Sequence, residues 1–119
     1  MKTGDFAEMR RSFDHSEMAE FSALAGIATL PEAVPEPLIA AMFSYLLGVR
    51  LPGPGTNYLK QEMRFMQPAP LGEPLTARVE ITRIRPDKDL VDLWATCKTA
   101  DGTLICEGRS LVLAKDVGA

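Results

Sequence analysis

The sequence holds few of the residues that most enzymes use for acid–base, nucleophilic or metal chemistry. Its 119 residues include one histidine, His15, and two cysteines, Cys97 and Cys106. His15 falls in the first turn of a predicted helix, where we expect it to face solvent. A Ser–His–Asp set, a Cys–His pair and a metal cluster therefore have little support. The cysteines lack the spacing of a zinc site, and we expect reduced, buried thiols rather than a disulfide.

Long apolar runs and basic tracts are absent as well. No apolar run approaches the ~18 residues of a membrane span, and the N-terminus lacks the apolar stretch of a signal peptide. The 13 basic and 16 acidic residues are spread along the chain and give a net charge of -3, which disfavours nucleic acid as a partner. We therefore expect a cytoplasmic protein without membrane or nucleic-acid partners. The length suits a single domain over residues 1–119.

The first third of the chain predicts a strand and two helices. "EMRRSF" (Glu8–Phe13) has the pattern of a short strand, and Asp14 with Glu17 forms a capping signature for a helix over residues 15–25 that Gly26 would end. Pro37 suits the first turn of a second helix, and the run "LIAAMFSYLL" that follows it is apolar nearly all round. A helix without a polar face must be covered on all sides, so we expect this one to be central.

The remainder predicts four antiparallel strands. In "TNYLKQEMRFM" the alternation puts one set of side chains (Leu59, Met63, Phe65) on the apolar face together with Gln61, and another (Tyr58, Lys60, Glu62, Arg64) on the opposite face. "LTARVEIT" also alternates, and its phase breaks near Arg83, which indicates a bulge or a strand end.

The last two strands form a hairpin around Asp101-Gly102. A two-residue turn at this point would pair Cys97 with Cys106, Ala95 with Gly108 and Trp94 with Arg109, the last as a cation–π pair. These elements together predict an α+β fold in which a five-stranded antiparallel sheet wraps a long central helix.

Two blocks of sequence resemble the MaoC-like family, whose members include the (R)-specific enoyl-CoA hydratases. The first is "FSALAG" (Phe21–Gly26), and the second runs from Tyr45 to Asp89 and contains "LPGPG" and "YLKQEMRFMQP". The resemblance implies a hotdog fold, with subunits paired edge to edge in a homodimer. It also implies an acyl-CoA or acyl-carrier protein thioester as the ligand, no other cofactor, and an acyl tunnel beside the central helix.

The family's catalytic groups have no counterparts in the segment between the two helices. Hydratases of this family carry a G-D-x-N-P-x-H loop, whose Asp and His activate water, and a His-Gly pair at the start of the central helix. Gly26 matches the first glycine of the loop, but Ile27 stands at the Asp position, Thr29 at the Asn position and Glu32 at the His position. Pro35-Glu36 or Glu36-Pro37 replaces the His-Gly pair, so both the dyad and this pair are missing.

Glu32 and Glu36 are the remaining candidates for catalysis, because a buried carboxylate near the thioester could act as a general base. The alternative is that they only complement the helix macrodipole. Candidate substrate-binding residues are of three kinds: polar groups near the central helix, flexible methionines and basic residues suited to CoA phosphates. They are Ser44, Tyr58, Gln61, Met42, Met63, Arg50 and Arg64.

Three functional hypotheses follow. The first is an acyl-thioester-binding protein of fatty acid metabolism without normal hydratase activity, which could serve as the non-catalytic subunit beside a catalytic MaoC-like chain. The second is an active enzyme, either a thioesterase or an atypical hydratase (a lyase), that uses Glu32 or Glu36. The third is a structural or regulatory dimer.

Overall fold

The structure is a computed structural model that describes residues 1–26 and 32–114. Five strands and two α-helices follow one another along the chain, and the second helix continues into a single π-helical turn, Leu46–Arg50. In chain order the elements are β1 (Phe6–Arg11), α1 (His15–Ala25), α2 (Glu36–Tyr45), β2 (Thr56–Phe65), β3 (Leu75–Arg85), β4 (Leu90–Thr99) and β5 (Leu104–Ala114).

The five strands form one antiparallel sheet with the order β1-β3-β4-β5-β2. Its inner face packs on α2 through the predicted alternation of β3, whose Leu75, Ala77, Val79 and Ile81 are all buried. This arrangement confirms the predicted hotdog fold of the α+β class, although the central helix α2, with 10 residues, is shorter than the long helix predicted. Within the described residues, no helix is long and apolar enough to cross a bilayer.

Helix α1 begins and ends where the capping residues predict. The Asp14 carboxylate accepts a hydrogen bond of 2.8 Å from the Glu17 amide, and this bond lowers the pKa of Asp14. Gly26 adopts a left-handed conformation with φ of 70°, which glycine tolerates without strain. The single histidine, His15, lies exposed in the first turn, as the sequence predicts.

Helix α2 is covered on one side only, and the prediction of complete coverage is wrong for a single chain. Ile39, Met42 and Phe43 are buried against the sheet, whereas Ala41, Ser44 and Tyr45 are exposed. One sheet can cover one side of a helix, so an apolar opposite side needs a second layer. The exposed side of α2 is therefore a surface that another chain could cover.

The β4–β5 hairpin has the three predicted pairs, but the predicted two-residue turn is wrong, because the register shifts between Cys97 and Lys98, and Lys98 pairs with Leu104. Cys97 is paired with Cys106, Ala95 with Gly108 and Trp94 with Arg109. The Arg109 guanidinium, however, donates to the Asp92 carboxylate at 2.7 Å. The side chain of Arg109 is thus held by a carboxylate on the neighbouring strand, and the predicted cation–π contact with Trp94 is not among those found within the described residues.

Strand β2 departs from the predicted alternation at one residue. The register changes between Tyr58, which pairs with Val112, and Lys60, which pairs with Leu111, so Leu59 is an extra residue in a β-bulge. Val112 is fully buried on the inner face, and its partner Tyr58 therefore points inward. The prediction that Tyr58 shares a face with Lys60 is wrong, because one extra residue reverses the face of everything beyond it.

Candidate functional site

A cavity of about 460 Å³ opens at the start of α2. The loop before the helix forms one wall, and the end of β2 with the residues that follow it forms the other. The Val34 amide donates to the Ala69 carbonyl at 2.9 Å and ties the two walls together. The lining residues are Ala33, Val34, Pro35, Glu36, Ile39, Phe65, Met66, Gln67, Pro68 and Ala69.

Glu36 is the ionisable side chain among the described residues that line this cavity. It is exposed and occupies the first turn of α2, where a carboxylate is favoured by the partial positive charge of the helix N-terminus. Glu32 is also exposed but does not line the cavity. The structure thus brings one of the two catalytic candidates to the cavity and leaves the other outside it.

The start of α2 offers few backbone donors. Pro37 has no N–H group, and the Leu38 amide already donates to the Pro35 carbonyl at 3.0 Å. The amide of Glu36 is the first-turn N–H group that has no such partner within residues 1–26 and 32–114. A thioester carbonyl placed here could receive one backbone hydrogen bond at most from this turn.

A second group of polar side chains lies at the opposite end of α2. Ser44 on the helix, Tyr58 and Gln61 on β2 and Ser110 on β5 converge there, and we refer to these four residues as the polar cluster. Three of them were candidates from the sequence. Ser110 was not, although its place in the buried alternation of β5 beside Gly108 and Val112 would have revealed a polar group on an apolar face.

The polar cluster contains buried groups whose hydrogen bonding is incomplete. Ser110 is fully buried, and neither its hydroxyl nor Nε2 of Gln61 has a well-formed hydrogen bond within the described part of the chain. Burial raises the pKa of the Tyr58 phenol, while its interactions with Ser110, Ser44 and Gln61 oppose that shift without cancelling it. The four side chains are therefore of uncharged types and close together, and two of them, Gln61 and Ser110, have polar atoms without a well-formed partner.

The other predicted substrate-binding residues do not join the polar cluster. Met42 is buried in the core, and Met63 lies on the inner face of β2 opposite Gly108. Arg50 is exposed and lies 5.9 Å from the Tyr45 ring, and Arg64 points away from the core, beside a cavity of about 500 Å³ on the outer face. These two arginines are on different surfaces, so the single chain does not build one phosphate site from both.

The two cysteine thiols lie in contact on the inner face, and both are free and buried. Contact with Cys97 and burial raise the pKa of Cys106, and the negative charge of Glu36 adds to this effect. Within the described ranges, no group of three or more His, Cys, Asp or Glu side chains could hold a metal ion.

Comparison with known proteins gives close relatives over nearly the whole chain, although no protein-family model matches it. The chain is 33% identical to the (R)-specific enoyl-CoA hydratase of Aeromonas caviae over 126 residues, which cover 94% of each protein. It is 31% identical to the enzyme of the same name from Rhodospirillum rubrum, over 95% of this chain and 88% of that one.

Solved structures agree with these relatives. The (R)-hydratase of A. caviae superposes with a TM-score of 0.88 at 32% identity, over 96% of this chain and 97% of that one. An R-hydratase from Pseudomonas aeruginosa gives a TM-score of 0.86 at 26% identity, over 96% and 82% of the two chains. A fluoroacetyl-CoA-specific thioesterase shares the fold alone, with a TM-score of 0.77 at 12% identity, over 95% and 87%. The chain belongs to the (R)-specific enoyl-CoA hydratase family.

Proposed function

We propose that residues 1–119, as one hotdog domain, bind an acyl thioester of coenzyme A or an acyl-carrier protein without the usual hydratase reaction. The observation that carries this proposal is the makeup of the cavity at the start of α2. Its described lining holds one exposed carboxylate, Glu36, and no histidine, in a family whose hydratases by resemblance use an Asp-His pair. Hydration needs a general base and a proton donor, and a single exposed carboxylate is a poor substitute for both.

We further propose that the exposed side of α2 is covered by a second chain, as in the paired subunits that the resemblance implies. Tyr45, Val49, Tyr58 and Leu59 are between 39% and 53% exposed, on α2, the π-helical turn and the edge strand β2. An exposed apolar patch beside a free strand edge suits subunit pairing. The partner is either another copy of this chain or a related chain that carries the Asp-His pair, in which case this chain is the non-catalytic subunit.

A second candidate function is an enzyme that uses Glu36, either a thioesterase or an atypical hydratase. The position of Glu36 in the lining of the cavity favours it over Glu32 as the base. The third candidate, a structural or regulatory dimer, requires that the cavity bind no thioester.

One experiment separates the three candidates. Purified protein is given crotonyl-CoA and a series of saturated acyl-CoAs, while hydration, thiol release and calorimetric binding are followed together. We expect binding without turnover. Turnover lost in Glu36→Gln but kept in Glu32→Gln, the matched control outside the cavity, would establish the enzyme instead. Absence of binding to any acyl-CoA or acyl-carrier protein would leave the structural dimer.

A further inference from the structure

The β-bulge at Leu59 turns Tyr58 to the inner face of the sheet, where it stays partly exposed beside the exposed side of α2. Without it Tyr58 would share the solvent face of Lys60, and the inner face of β2 would meet Ser110 with Gln61 alone. Bulges are frequent beside functional sites, where they re-aim a side chain. Here the re-aimed phenol joins three other neutral hydrogen-bonding groups, and only 39% of the tyrosine stays exposed.

Burying the Ser110 hydroxyl and the Gln61 amide nitrogen without partners carries a cost that an ordinary core would avoid. A buried hydroxyl or amide that lacks a hydrogen bond destabilises the fold, so native interiors seldom keep one unless something else meets it. Ser110 is fully buried, and its hydroxyl and the Gln61 Nε2 lack well-formed bonds among the described residues. Alanine and leucine at these positions would fill similar space with apolar atoms, which makes the polar cluster a candidate for ligand contact.

We propose that the polar cluster of Ser44, Tyr58, Gln61 and Ser110 is a subsite for a neutral oxygen function, a hydroxyl or a ketone, on the acyl chain of the ligand. The unpartnered amide N–H groups of Gln61 and the Tyr58 hydroxyl can donate to such an oxygen, and the serine hydroxyls can donate or accept. All four side chains are uncharged types, so the subsite offers no countercharge to a carboxylate. This inference rests on the proposed acyl-thioester binding and names the class of acyl group.

The distance between the cavity and the subsite fits an acyl chain of medium length. Ser44 follows Glu36 by eight residues, which places it about 12 Å further along α2 at the rise of an α-helix. On the facing strand, Phe65 lines the cavity and Gln61 belongs to the subsite, and four strand residues span about 13 Å. The two elements therefore give the same separation independently.

Between the cavity and the subsite, strand β2 carries a side chain that could move to admit an acyl chain. Met63 lies midway between Gln61 and Phe65 on β2 and is paired with Gly108, which has no side chain. The unbranched thioether of methionine adapts its shape more readily than other apolar residues do. An acyl chain running from the cavity to the subsite would displace Met63 and leave the backbone of both strands in place.

The test measures the affinity of matched acyl-CoA pairs by calorimetry. Butanoyl-, hexanoyl- and octanoyl-CoA are each compared with the analogue that carries a terminal hydroxyl group. We expect the hydroxyl to tighten binding roughly five- to tenfold at the length that reaches the subsite, the gain of one good hydrogen bond. Tyr58→Phe and Ser110→Ala should each reduce that ratio towards one, while Tyr45→Phe, which removes an exposed hydroxyl from α2, should leave it unchanged.

Three outcomes would overturn the subsite. If the parent acyl-CoAs bind and the hydroxyl adds nothing at any length, the acyl-thioester function stands and the subsite is wrong. If Tyr58→Phe and Ser110→Ala weaken self-association and leave the ratio unchanged, the polar groups meet a second copy of the chain. If no acyl-CoA binds, the proposed function fails and the subsite with it. Thermal unfolding of each variant establishes that it is folded before it is compared.

Discussion

The polar groups on the two faces of the sheet differ in charge and in how well they are paired. On the outer face, charged side chains are paired: Arg78 with Glu80 at 2.7 Å, Lys60 with Glu62 at 2.8 Å, and Asp92 with both Arg85 and Arg109. On the inner face, neutral polar groups gather at the junction of β2, β5 and α2, where the buried Ser110 hydroxyl and Gln61 Nε2 lack well-formed partners; Nε of Arg85 is an outer-face atom that also lacks one. The outer charges are thus largely paired within the chain, whereas Ser110 and Gln61 on the inner face carry the cost of buried polar atoms without well-formed partners.

This contrast indicates where function is to be sought. A polar group that stabilises the folded chain needs no further explanation, whereas one that destabilises it does. The outer ion pairs are of the first kind, and the polar cluster is of the second. By resemblance, the start of α2 is where the family's catalytic groups lie, but here it has few side chains suited to acid–base chemistry. The polar cluster at the other end of the helix is therefore the better candidate for a functional site.

The largest expected effect is that of a substitution at Gly108, where the backbone of β2 lies close against β5. A Cβ built on it would lie 1.7 Å from the Glu62 carbonyl oxygen and 2.9 Å from the Met63 Cα, both backbone atoms of β2. Gly108→Ala should therefore lower the free energy of unfolding by more than about 3 kcal/mol, since β2 must separate from β5. Urea unfolding measures this change.

The matched control is Gly48→Ala. No atom lies within 4 Å of a Cβ built on Gly48, and its φ is outside the left-handed region, so this variant should keep the stability of the parent or gain slightly. Equal stability of the two variants would show that β2 does not approach β5 as closely as the structure describes. It would also remove the basis for the inward position of Tyr58.

Asp92→Asn should have the next largest effect, on the outer face. The Asp92 side chain is 7% exposed and accepts hydrogen bonds from Arg85 at 2.7 Å and from Arg109. Removing its charge leaves two partly covered guanidinium groups without their counterion, which we expect to cost about 2 kcal/mol of unfolding free energy. Acyl-CoA affinity should not change, because Asp92 lies on the face opposite α2. A loss of affinity at full stability would contradict the division between the faces.

The same carboxylate should make part of the stability depend on pH. Burial alone would raise the pKa of Asp92, but the hydrogen bonds and charges of Arg85 and Arg109 outweigh burial and lower it below the ordinary value of 3.8. The unfolded chain then binds a proton at a higher pH than the folded chain does. The contribution of Asp92 is thus complete above the unfolded pKa and disappears as the pH falls through the lower folded pKa. Unfolding curves from pH 6 to pH 2 should show a steeper loss for the parent than for Asp92→Asn.

Much of the fold could be predicted because it follows from local rules. The capping pair Asp14–Glu17 set one helix boundary, the turn residues Asp101-Gly102 located the hairpin, and the alternation in β3 set its buried face. The direction of Tyr58 could not be predicted in this way. The bulge at Leu59 follows from how β2 bends against β5, and no residue in "TNYLK" requires it.

The candidate site was predictable only in part, for a related reason. Ser44 and Gln61 are visible in the sequence as polar residues in apolar patterns, but Ser110 joins them only after β5 is placed between β4 and β2. The exposed side of α2 could not be foreseen either, because an apolar sequence does not state which chain will cover it. Both features depend on long-range strand order and on subunit contacts, which local sequence patterns do not specify.

The smallest expected change in unfolding free energy is that of Ser110→Ala, and it has the opposite sign. It is the most direct test of the difference between the two faces. Ser110→Ala removes a fully buried hydroxyl that has no well-formed partner within residues 1–26 and 32–114, so it should leave the unfolding free energy unchanged or raise it by up to about 1 kcal/mol. Urea unfolding without ligand measures this, with the exposed Ser12→Ala as the control of equal chemistry. Destabilisation by more than the control would mean that the hydroxyl already has a partner. If the variant is instead more stable and binds hydroxylated and plain acyl-CoAs equally well, the hydroxyl of the parent lowers stability while contributing to ligand binding, which is expected of a ligand site.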